Sequence, residues 1–235
     1  MGLPQQKVKI EWSSNFAYAI GVITSDGCLS RDKRHIFLKS ADKELVEKFK
    51  IALNIKNKIG KGGRGGVSEK RYFQITFGDI VFYKFLNEIG LTQTKSKSIK
   101  KVNVPKKFFA DFVRGLFDGD GSFYTFWDKR WPNSFGFRLS FASASLPFLE
   151  WLKDSLVRFY GVSGFFHKGK GVMNLEYTKG DSKKLFFVMY RSKDVLFLNR
   201  KYYKIKSALE KDKFFGLRYL QKPRSLGSSV VRALP

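Results

Sequence analysis

The stretch VRGLFDGDGSF at residues 113–123 leads an apolar run into a cluster of aspartate and glycine, and AIGVITSDGCL at residues 19–29 does the same near the start of the chain. The two stretches align at a constant separation of 94 residues, which pairs Gly21 with Gly115, Asp26 with Asp120 and Gly27 with Gly121. A motif that recurs in the same sequence context predicts two structurally related halves.

The composition restricts the partners of the protein. Its 235 residues include 45 Lys+Arg against 20 Asp+Glu, a formal net charge of +25. Such an excess favours a polyanion, with nucleic acid the first candidate and an anionic membrane surface the rival. No apolar run reaches the roughly 20 residues of a membrane-spanning helix, and residues 1–10 show no secretory signal. With Cys28 the only cysteine and His35 and His167 the only histidines, any metal is expected to have oxygen ligands.

Each motif is followed by the same series of predicted elements, so that both halves read helix, two strands, helix, two strands, helix. The series predicts an α+β fold of two αββαββα-like repeats. The register continues through Ser40 and Ser143, and nine extra residues in the second copy are assigned to the loop 125–134. The predicted boundaries are an N-terminal extension at 1–12, repeats at 13–104 and 105–221, and a flexible tail or expression scar at 222–235.

Small residues four positions apart mark one face of each motif helix, namely Gly21 with Ser25 and Gly115 with Gly119. Such stripes let two helix backbones approach closely, so Gly21 is expected to pack on Gly115. Asp26 and Asp120 would then lie side by side at two helix C-termini, where the helix dipoles are also negative. The glycine after each aspartate suits a left-handed helix terminus. The alternative is that Asp-Gly only ends a helix and turns the chain.

A pair of carboxylates in that position favours either a bound proton or a bound cation. Mg²⁺ typically binds one or two carboxylates together with substrate phosphate and water. Two or three Mg²⁺ ions shared with nearby phosphate oxygens would allow phosphodiester hydrolysis. The residues therefore predict a metal site at which a basic protein holds nucleic acid.

AIGVITSDG and VRGLFDGDG resemble the nonapeptide of the LAGLIDADG homing endonucleases, and the resemblance covers about residues 13–221. It implies a single-chain, pseudo-symmetric protein with motif helices at the interface between the halves and a saddle-shaped antiparallel DNA-binding sheet in each half. It also implies a monomer, encoded by a mobile intron or intein-like element, that cuts both strands of a long DNA site with short 3′ overhangs.

By this resemblance Asp26 and Asp120 bind metal, with the backbone carbonyls of Ser25 and Gly119 as further ligands. Mg²⁺ is the expected cofactor, Mn²⁺ is expected to support activity, and Ca²⁺ is expected to support binding without efficient cutting. Asp118 has Thr24 as its counterpart, which favours a structural role for this acid.

The resemblance also points to basic residues near the scissile phosphates. Lys39, Lys95 and Lys201 are candidates to polarise water or to stabilise the charge of the transition state. Lys39 aligns with Ala142, so the second half lacks this lysine. Because the chain has 45 Lys+Arg, an ordinary solvated charge is the alternative for each lysine.

DNA-contacting residues are expected on one face of each sheet, because alternate side chains of a strand point to the same side. In the first half the candidates are Arg31, Lys33, His35, Phe37, Arg64, Arg71, Gln74 and Thr76. In the second half they are Lys129, Arg130, Arg138, Ser140, Lys168, Asn174, Glu176 and Thr178. A polar, solvent-facing surface is the alternative for each of them.

The expected substrate is double-stranded DNA, with no membrane and no protein partner required. Two other functions remain open at this stage. An RNA-binding splicing maturase could use the same fold and basic surface, and a non-cutting DNA-binding regulator could retain the fold. The sequence does not indicate the compartment or the target site.

Overall fold

The computed structural model of the chain describes residues 6–63, 71–129, 134–192 and 194–221. The first half contains helix α1 (Ser14–Asp26), strands β1 (Gly27–Leu29) and β2 (His35–Ser40), helix α2 (Lys43–Ala52), strands β3 (Gly60–Gly63) and β4 (Arg71–Gly78), and helices α3 (Ile80–Glu88) and α4 (Lys95–Ser98). A 3-10 turn (Lys106–Phe108) begins the second half, followed by α5 (Phe109–Asp120), β5 (Gly121–Trp127), β6 (Phe135–Ser143), α6 (Leu146–Tyr160), β7 (Gly164–Lys168), β8 (Met173–Tyr177), α7 (Lys179–Met189) and α8 (Asn199–Gln221).

Each half forms a four-stranded antiparallel sheet, and the two sheets have the same topology, β1-β2-β4-β3 and β5-β6-β8-β7. The register is repeated as well. Lys39 pairs with Gln74 as Ala142 pairs with Asn174, and Ser40 pairs with Phe73 as Ser143 pairs with Met173. The predicted α+β architecture of two related repeats is confirmed.

Alternating burial gives the first sheet an apolar face and an open face, whereas in β6 of the second sheet Gly136 and Ser140 are buried as well as their apolar neighbours. In β2 the buried residues are Ile36 and Leu38, whereas Lys39 is exposed. In β4, Ile75 and Phe77 are buried and Thr76 is exposed. Helices α2 and α6 cover the apolar faces, each from its own half. The opposite faces lack such a helical cover in the described part of the chain.

The two motif helices form the centre of the molecule, and they run parallel. Tyr18 Oη donates a hydrogen bond to Asp118 Oδ2 at 2.8 Å, and Ser25 lies against Gly119 near the C-terminal ends. A methyl group added to Gly21 would lie 2.6 Å from the backbone nitrogen of Leu116 and closer still to the Phe112 carbonyl oxygen. One added to Gly115 would collide with the Tyr18 carbonyl group. The expected close packing of these glycines is confirmed.

The halves differ most in their last helices and in one hairpin. Helix α4 has 4 residues and α8 has 23, so the repeat is unequal at its C-terminal end. The extra residues of the second half lengthen a hairpin, since β5 continues to Trp127 and β6 begins at Phe135. Residues 125–127 of the loop predicted at 125–134 are therefore strand, because they pair with β6.

The N-terminal segment is anchored to the first half. The backbone amides of Lys7 and Val8 donate to Asp79 Oδ2 at 2.7 and 2.9 Å, and Val8 is buried in the core. Asp79 also caps α3 through its other oxygen. The predicted tail at 222–235 lies outside the described residues.

Replacing Gly21 by alanine is expected to destabilise the protein, because the new methyl group meets backbone atoms of α5 that cannot move independently. We expect the free energy of unfolding to fall by about 2 kcal/mol or more, which lowers the melting temperature by roughly 4–8 °C. The matched control is Gly180→Ala in α7, where a methyl group meets nothing within 4 Å and helix propensity rises by up to about 1 kcal/mol. Equal melting temperatures for both variants would contradict the close approach of the helices.

Candidate active site

Asp26 and Asp120 are the last residues of α1 and α5. The glycine that follows each of them is extended, with φ −76° and ψ 157° at Gly27 and φ −69° and ψ 145° at Gly121. The expected left-handed terminus is therefore wrong at both positions. Glycine is required because the chain turns directly back into a strand, where a Cβ atom would meet Ile23 or Phe117 of the preceding helical turn.

The packing of the helix ends brings the two acids together. A methyl group added to Gly119 would overlap the Ser25 hydroxyl and lie 2.9 Å from Asp26 Oδ2. Ser25 Oγ itself donates to the Val22 carbonyl at 3.0 Å. The carboxylate of Asp26 in the first motif therefore lies beside Gly119, the residue before Asp120 in the second motif.

Burial changes the acidity of both aspartates. It raises the pKa of Asp26 to about 6, with the negative charge of Asp120 as the next cause. Burial also raises the pKa of Asp120. The positive charges of Lys95 and Lys201 act in the opposite direction on both groups. The pair therefore favours a proton or an added cation at neutral pH.

Lys95 and Lys201 lie under the acid pair at corresponding places in the two halves, and 5% and 8% of their surfaces are exposed. Lys95 Nζ donates to the Thr24 and Ser25 carbonyls at 2.8 and 3.1 Å. Lys201 Nζ donates to the carbonyls of residues 117, 119 and 121 at 2.6, 3.0 and 2.7 Å. The carbonyls of Thr24, Ser25 and Gly119 are among those that a helix C-terminus leaves without intrahelical partners, whereas Phe117 also accepts from the Gly121 amide and Gly121 begins β5.

Burial lowers the pKa of Lys201 to about 8 and also lowers the pKa of Lys95. Both lysines were expected near the scissile phosphates, and the structure places them within the protein at the helix ends. The carbonyls of Ser25 and Gly119, which are the additional candidate metal ligands, accept hydrogen bonds from these two lysines. Each carbonyl oxygen has a second lone pair for a metal.

Lys39 lies apart from this arrangement, on the open face of the first sheet. Its Nζ is 3.5 Å from the centre of the Tyr72 ring, a cation–π contact that holds the side chain over the sheet. Its counterpart Ala142 pairs with Asn174. The two open faces therefore differ in charge at this position.

A buried polar network near the N-terminal ends of the motif helices was not anticipated from the sequence. Arg114 is fully buried and donates to Asp111 Oδ1 at 2.8 Å and to the Met189 and Leu196 carbonyls at 2.8 and 2.7 Å. Asp111 also accepts from Ser14 of the other motif helix at 2.6 Å. The signal available in the sequence was the Asp-x-x-Arg spacing inside an apolar helix, which places the pair on one helix face.

Asp118 belongs to the same helix interface. Its Oδ2 accepts from Tyr18 Oη and from the backbone amide of Leu198 at 2.8 and 2.7 Å. Burial raises its pKa to about 6. Asp118 therefore connects α1, α5 and the start of α8. It is fully buried, whereas Asp120 is the exposed acid at the end of the motif.

The predicted DNA-contacting residues of the first half lie mainly on the open face and in the β1–β2 turn. Arg31 and Lys33 are exposed in the turn, and His35 bonds to Asp32. Gln74 and Thr76 share the open face of β4, where Gln74 Nε2 donates to Thr76 Oγ1 at 2.9 Å. Two further positions are Phe37, half-buried in β2, and Arg71, whose backbone pairs with Gly63. Arg64 lies outside the described residues.

The second half distributes its candidates differently. Lys129, Lys168 and Thr178 are exposed, and Asn174 is half-buried. Ser140 is only 6% exposed. Little of its surface is therefore available for the predicted contact with DNA. Glu176 is buried beside Arg138. Arg130 lies outside the described residues.

The donor set at the acid pair fits a divalent cation that shares its ligands with a substrate. The described residues contain no group of three or more His, Cys, Asp or Glu that could hold a metal. Two carboxylates at neighbouring helix ends nevertheless supply the one or two acidic ligands that Mg²⁺ typically takes from protein. The remaining positions would be filled by phosphate oxygens and water.

Comparison with known proteins gives the same architecture. A LAGLIDADG-like domain matches residues 13–90 and 108–188. A segment of translation initiation factor IF-2 from Methanocaldococcus jannaschii is 28% identical over 172 residues, which is 67% of this chain and 13% of that protein. The chain thus spans a small part of that relative.

No described helix is long and apolar enough to cross a membrane.

Solved structures share the fold. The LAGLIDADG homing endonuclease I-GzeII in complex with its DNA target has a TM-score of 0.58 at 14% identity, covering 89% of this chain and 94% of that chain. I-SmaMI, bound to uncleaved DNA in the presence of calcium ions, has a TM-score of 0.55 at 13% identity, covering 87% and 94%. Full-length WhiA from Thermatoga maritima has a TM-score of 0.55 at 16% identity, covering 88% of this chain and 64% of that chain.

The structure contains two parallel motif helices that end in paired acids, and two antiparallel sheets of identical topology. These features define a single-chain, two-motif LAGLIDADG architecture. The matched segments cover more than half of the sequence, with one segment in each half. The chain belongs to the LAGLIDADG family.

The raised pKa of Asp26 makes stability depend on pH in the absence of metal. The pKa of about 6 in the folded protein exceeds the value of about 3.9 in an unfolded chain, so the folded state binds the proton more tightly. Stability is therefore lost as pH rises from about 4 to about 6. We expect Asp26→Asn to be more stable than the wild type by about 1–3 kcal/mol at pH 7.5 in EDTA, with the difference shrinking toward pH 4. Thermal melts across this range check it, and a pH-independent difference would contradict it.

Lys201→Met is expected to destabilise the protein, because three carbonyls at the end of α5 lose a charged donor in a buried position. We expect a loss of about 2–4 kcal/mol in the free energy of unfolding. The control is Lys204→Met, since Lys204 is exposed and donates to the single carbonyl of Phe123; its loss should stay below about 1.5 kcal/mol. Denaturant titration measures both, and equal losses would show that the helix-end contacts are unimportant.

Proposed function

We propose that the protein is a site-specific DNA endonuclease that makes metal-dependent double-strand breaks with short 3′ overhangs. The observation that supports this function best is the pair of acids, Asp26 and Asp120, at adjoining ends of parallel helices between two open-faced sheets. Each half presents one acid and one sheet, an arrangement suited to one DNA strand per half.

Double-stranded DNA is the proposed substrate, bound by the monomer. The net charge of +25 provides the electrostatic attraction that dominates protein–DNA affinity. An antiparallel sheet with an open face fits the major groove, where base edges are distinguishable. The open faces include the polar candidates His35, Gln74 and Thr76 in one half and Arg138 and Asn174 in the other.

Asp26 and Asp120 would hold the metal, with the Ser25 and Gly119 carbonyls as further ligands. Mg²⁺, when bound, supplies a Lewis acid and positive charge for the hydrolysis of a phosphodiester. In that reaction a water oxygen bonds to phosphorus while the bond to the leaving oxygen breaks. Lys95 and Lys201 keep the helix ends and hence the carboxylates in place, and Lys39 is the lysine exposed toward a bound strand. Mn²⁺ would replace Mg²⁺, and Ca²⁺ would support binding.

The asymmetry of the halves affects the reaction. Lys39 has no counterpart because its register partner is Ala142, so a lysine stands on the open face in only one half at this position. If Lys39 stabilises a scissile phosphate, the two strands are cut at unequal rates. The small share of IF-2 that the chain matches fits a mobile coding unit located within a longer gene.

A non-cutting DNA-binding regulator is the second candidate. Its support is the similarity to WhiA, which has a TM-score comparable to that of I-SmaMI but is not named as an endonuclease. The presence of both motif acids, with raised pKa values, favours cutting.

The test is cleavage of a randomised duplex library with Mg²⁺, followed by sequencing of the new ends, beside Asp26→Asn/Asp120→Asn as control. We expect the wild type to yield one family of related sites with short 3′ overhangs, whereas the double variant binds without cutting.

Binding without cutting by both proteins would contradict the endonuclease and favour the regulator. Effective competition by RNA, with no dependence on either acid, would instead indicate a splicing maturase.

A further inference from the structure

The open face of the second sheet contains an arginine whose position is fixed before any ligand arrives. Arg138 lies in β6 with its guanidinium carbon 5.6 Å from the centre of the Phe126 ring and 5.5 Å from that of Phe165. Its Nη1 bonds to Glu176 Oε1, and 39% of its side chain remains exposed. Two rings and one carboxylate therefore restrict a side chain that is usually mobile.

The neighbours that hold Arg138 are themselves held. Glu176 accepts a second hydrogen bond, from Tyr124 Oη to Oε2 at 3.0 Å, and only 9% of its side chain is exposed. Gly136 leaves room for the Phe126 ring, since a methyl group there would lie 2.6 Å from two ring atoms. These contacts form one connected cluster across β5, β6, β7 and β8.

Among the described residues, the first half has no equivalent cluster. In the shared register, Ser30, His35 and Thr76 stand where the second half has Tyr124, Arg138 and Glu176. His35 bonds instead to Asp32 in the neighbouring turn. The cluster is therefore specific to the second half and is not a requirement of the repeated fold.

We propose that Arg138 reads one guanine in the half-site bound by the second sheet, and that Glu176 is the positioning residue that orients it without touching DNA. This inference rests on the duplex-binding part of the proposed function. A guanidinium can donate two parallel hydrogen bonds to guanine O6 and N7 in the major groove. Because the side chain is already ordered, little rotamer freedom is lost on binding.

A base edge fits this site better than a phosphate. Arg138 and Glu176 together have no net charge, so the cluster adds little to non-specific attraction, which depends on neutralising phosphates. A carboxylate directly behind the guanidinium also disfavours a second anion. What the cluster offers is directional N–H groups, and such groups distinguish bases.

Glu176 is not itself available to read cytosine. Both of its carboxylate oxygens accept hydrogen bonds, from Arg138 and from Tyr124, and its side chain is almost completely buried. A reader of cytosine N4 would need a carboxylate oxygen exposed at the surface, and the burial of Glu176 does not provide one.

The experiment selects binding sites from a randomised duplex library with the Asp26→Asn/Asp120→Asn protein, so that base preference is measured without cutting. Arg138→Lys, which keeps the charge but loses the planar fork, should lower the preference for guanine at one position by about tenfold or more. Glu176→Gln should lower the same preference several-fold. Tyr124→Phe, which removes only the hydroxyl group, should lower it to a smaller extent.

The matched control is Lys168→Ala, at the exposed end of β7. It should weaken binding to all sequences alike and reduce the dependence of log affinity on log salt by about one. Melting temperatures of all four variants show whether each is folded at the temperature of the selection.

Four outcomes would overturn the inference. A uniform loss of affinity in Arg138→Lys, like that of the control, would make Arg138 a phosphate contact. Loss of a cytosine position in Glu176→Gln, with the guanine position intact, would make Glu176 a reader. A selected site with no position sensitive to Arg138 would overturn this inference alone, whereas the absence of any selected site would also overturn the duplex binding of the proposed function.

Discussion

The structure depends on the approach of two helix backbones at Gly21 and Gly115. Because neither position tolerates a Cβ atom, α1 and α5 lie close enough for Asp26 and Asp120 to meet at a common end. This closeness has an electrostatic cost, since two carboxylates, that of the half-buried Asp26 and that of the exposed Asp120, coincide with the negative ends of two helix dipoles. Lys95 and Lys201 offset that cost from within the protein, and a divalent cation with a phosphate would offset it from outside. The same geometric constraint thus creates the site and the need for the groups that occupy it.

The two halves match closely in their motif helices and strand pairing, and they differ on the open faces of their sheets. The motif helices, the buried lysines and the strand registers repeat in both halves. The helices are fixed by contact with each other, each lysine by hydrogen bonds to the end of the motif helix in its own half, and the registers by backbone pairing. The open faces do not repeat within the described residues: Lys39, which contacts Tyr72, has Ala142 as its counterpart in the second sheet, and the cluster around Arg138 has no counterpart in the described part of the first. Such a division suits the proposed endonuclease, in which each half would supply one acid and the two half-sites would differ in sequence.

The sequence was sufficient to predict the repeat, the helix packing and the faces of the strands, because each depends on local periodicity or on a residue type with one steric use. It was not sufficient where a residue obtains its role from a distant partner. Lys95 and Lys201 are ordinary lysines in the sequence, and only the fold shows that they close the ends of the motif helices. Glu176 is a plausible base reader by alternation, and only its contact with Arg138 and Tyr124 shows that its oxygens are engaged. The left-handed conformation expected at Gly27 and Gly121 is wrong. Glycine is needed at both positions because a Cβ atom would collide with the preceding helical turn, and not because the backbone adopts a positive φ.

The lengthened β5–β6 hairpin has a consequence for the evolution and engineering of the protein. It adds residues to the second half, while the five pairings between β6 and β8 keep the register of the five from Ile36↔Phe77 to Ser40↔Phe73 between β2 and β4. One half can therefore grow or change its reading surface while the coupling between the halves stays intact. The contact between α1 and α5 joins two sheets that can change separately. Recombination between related chains at the segment that links α4 to α5 would therefore keep this contact and bring different sheets together.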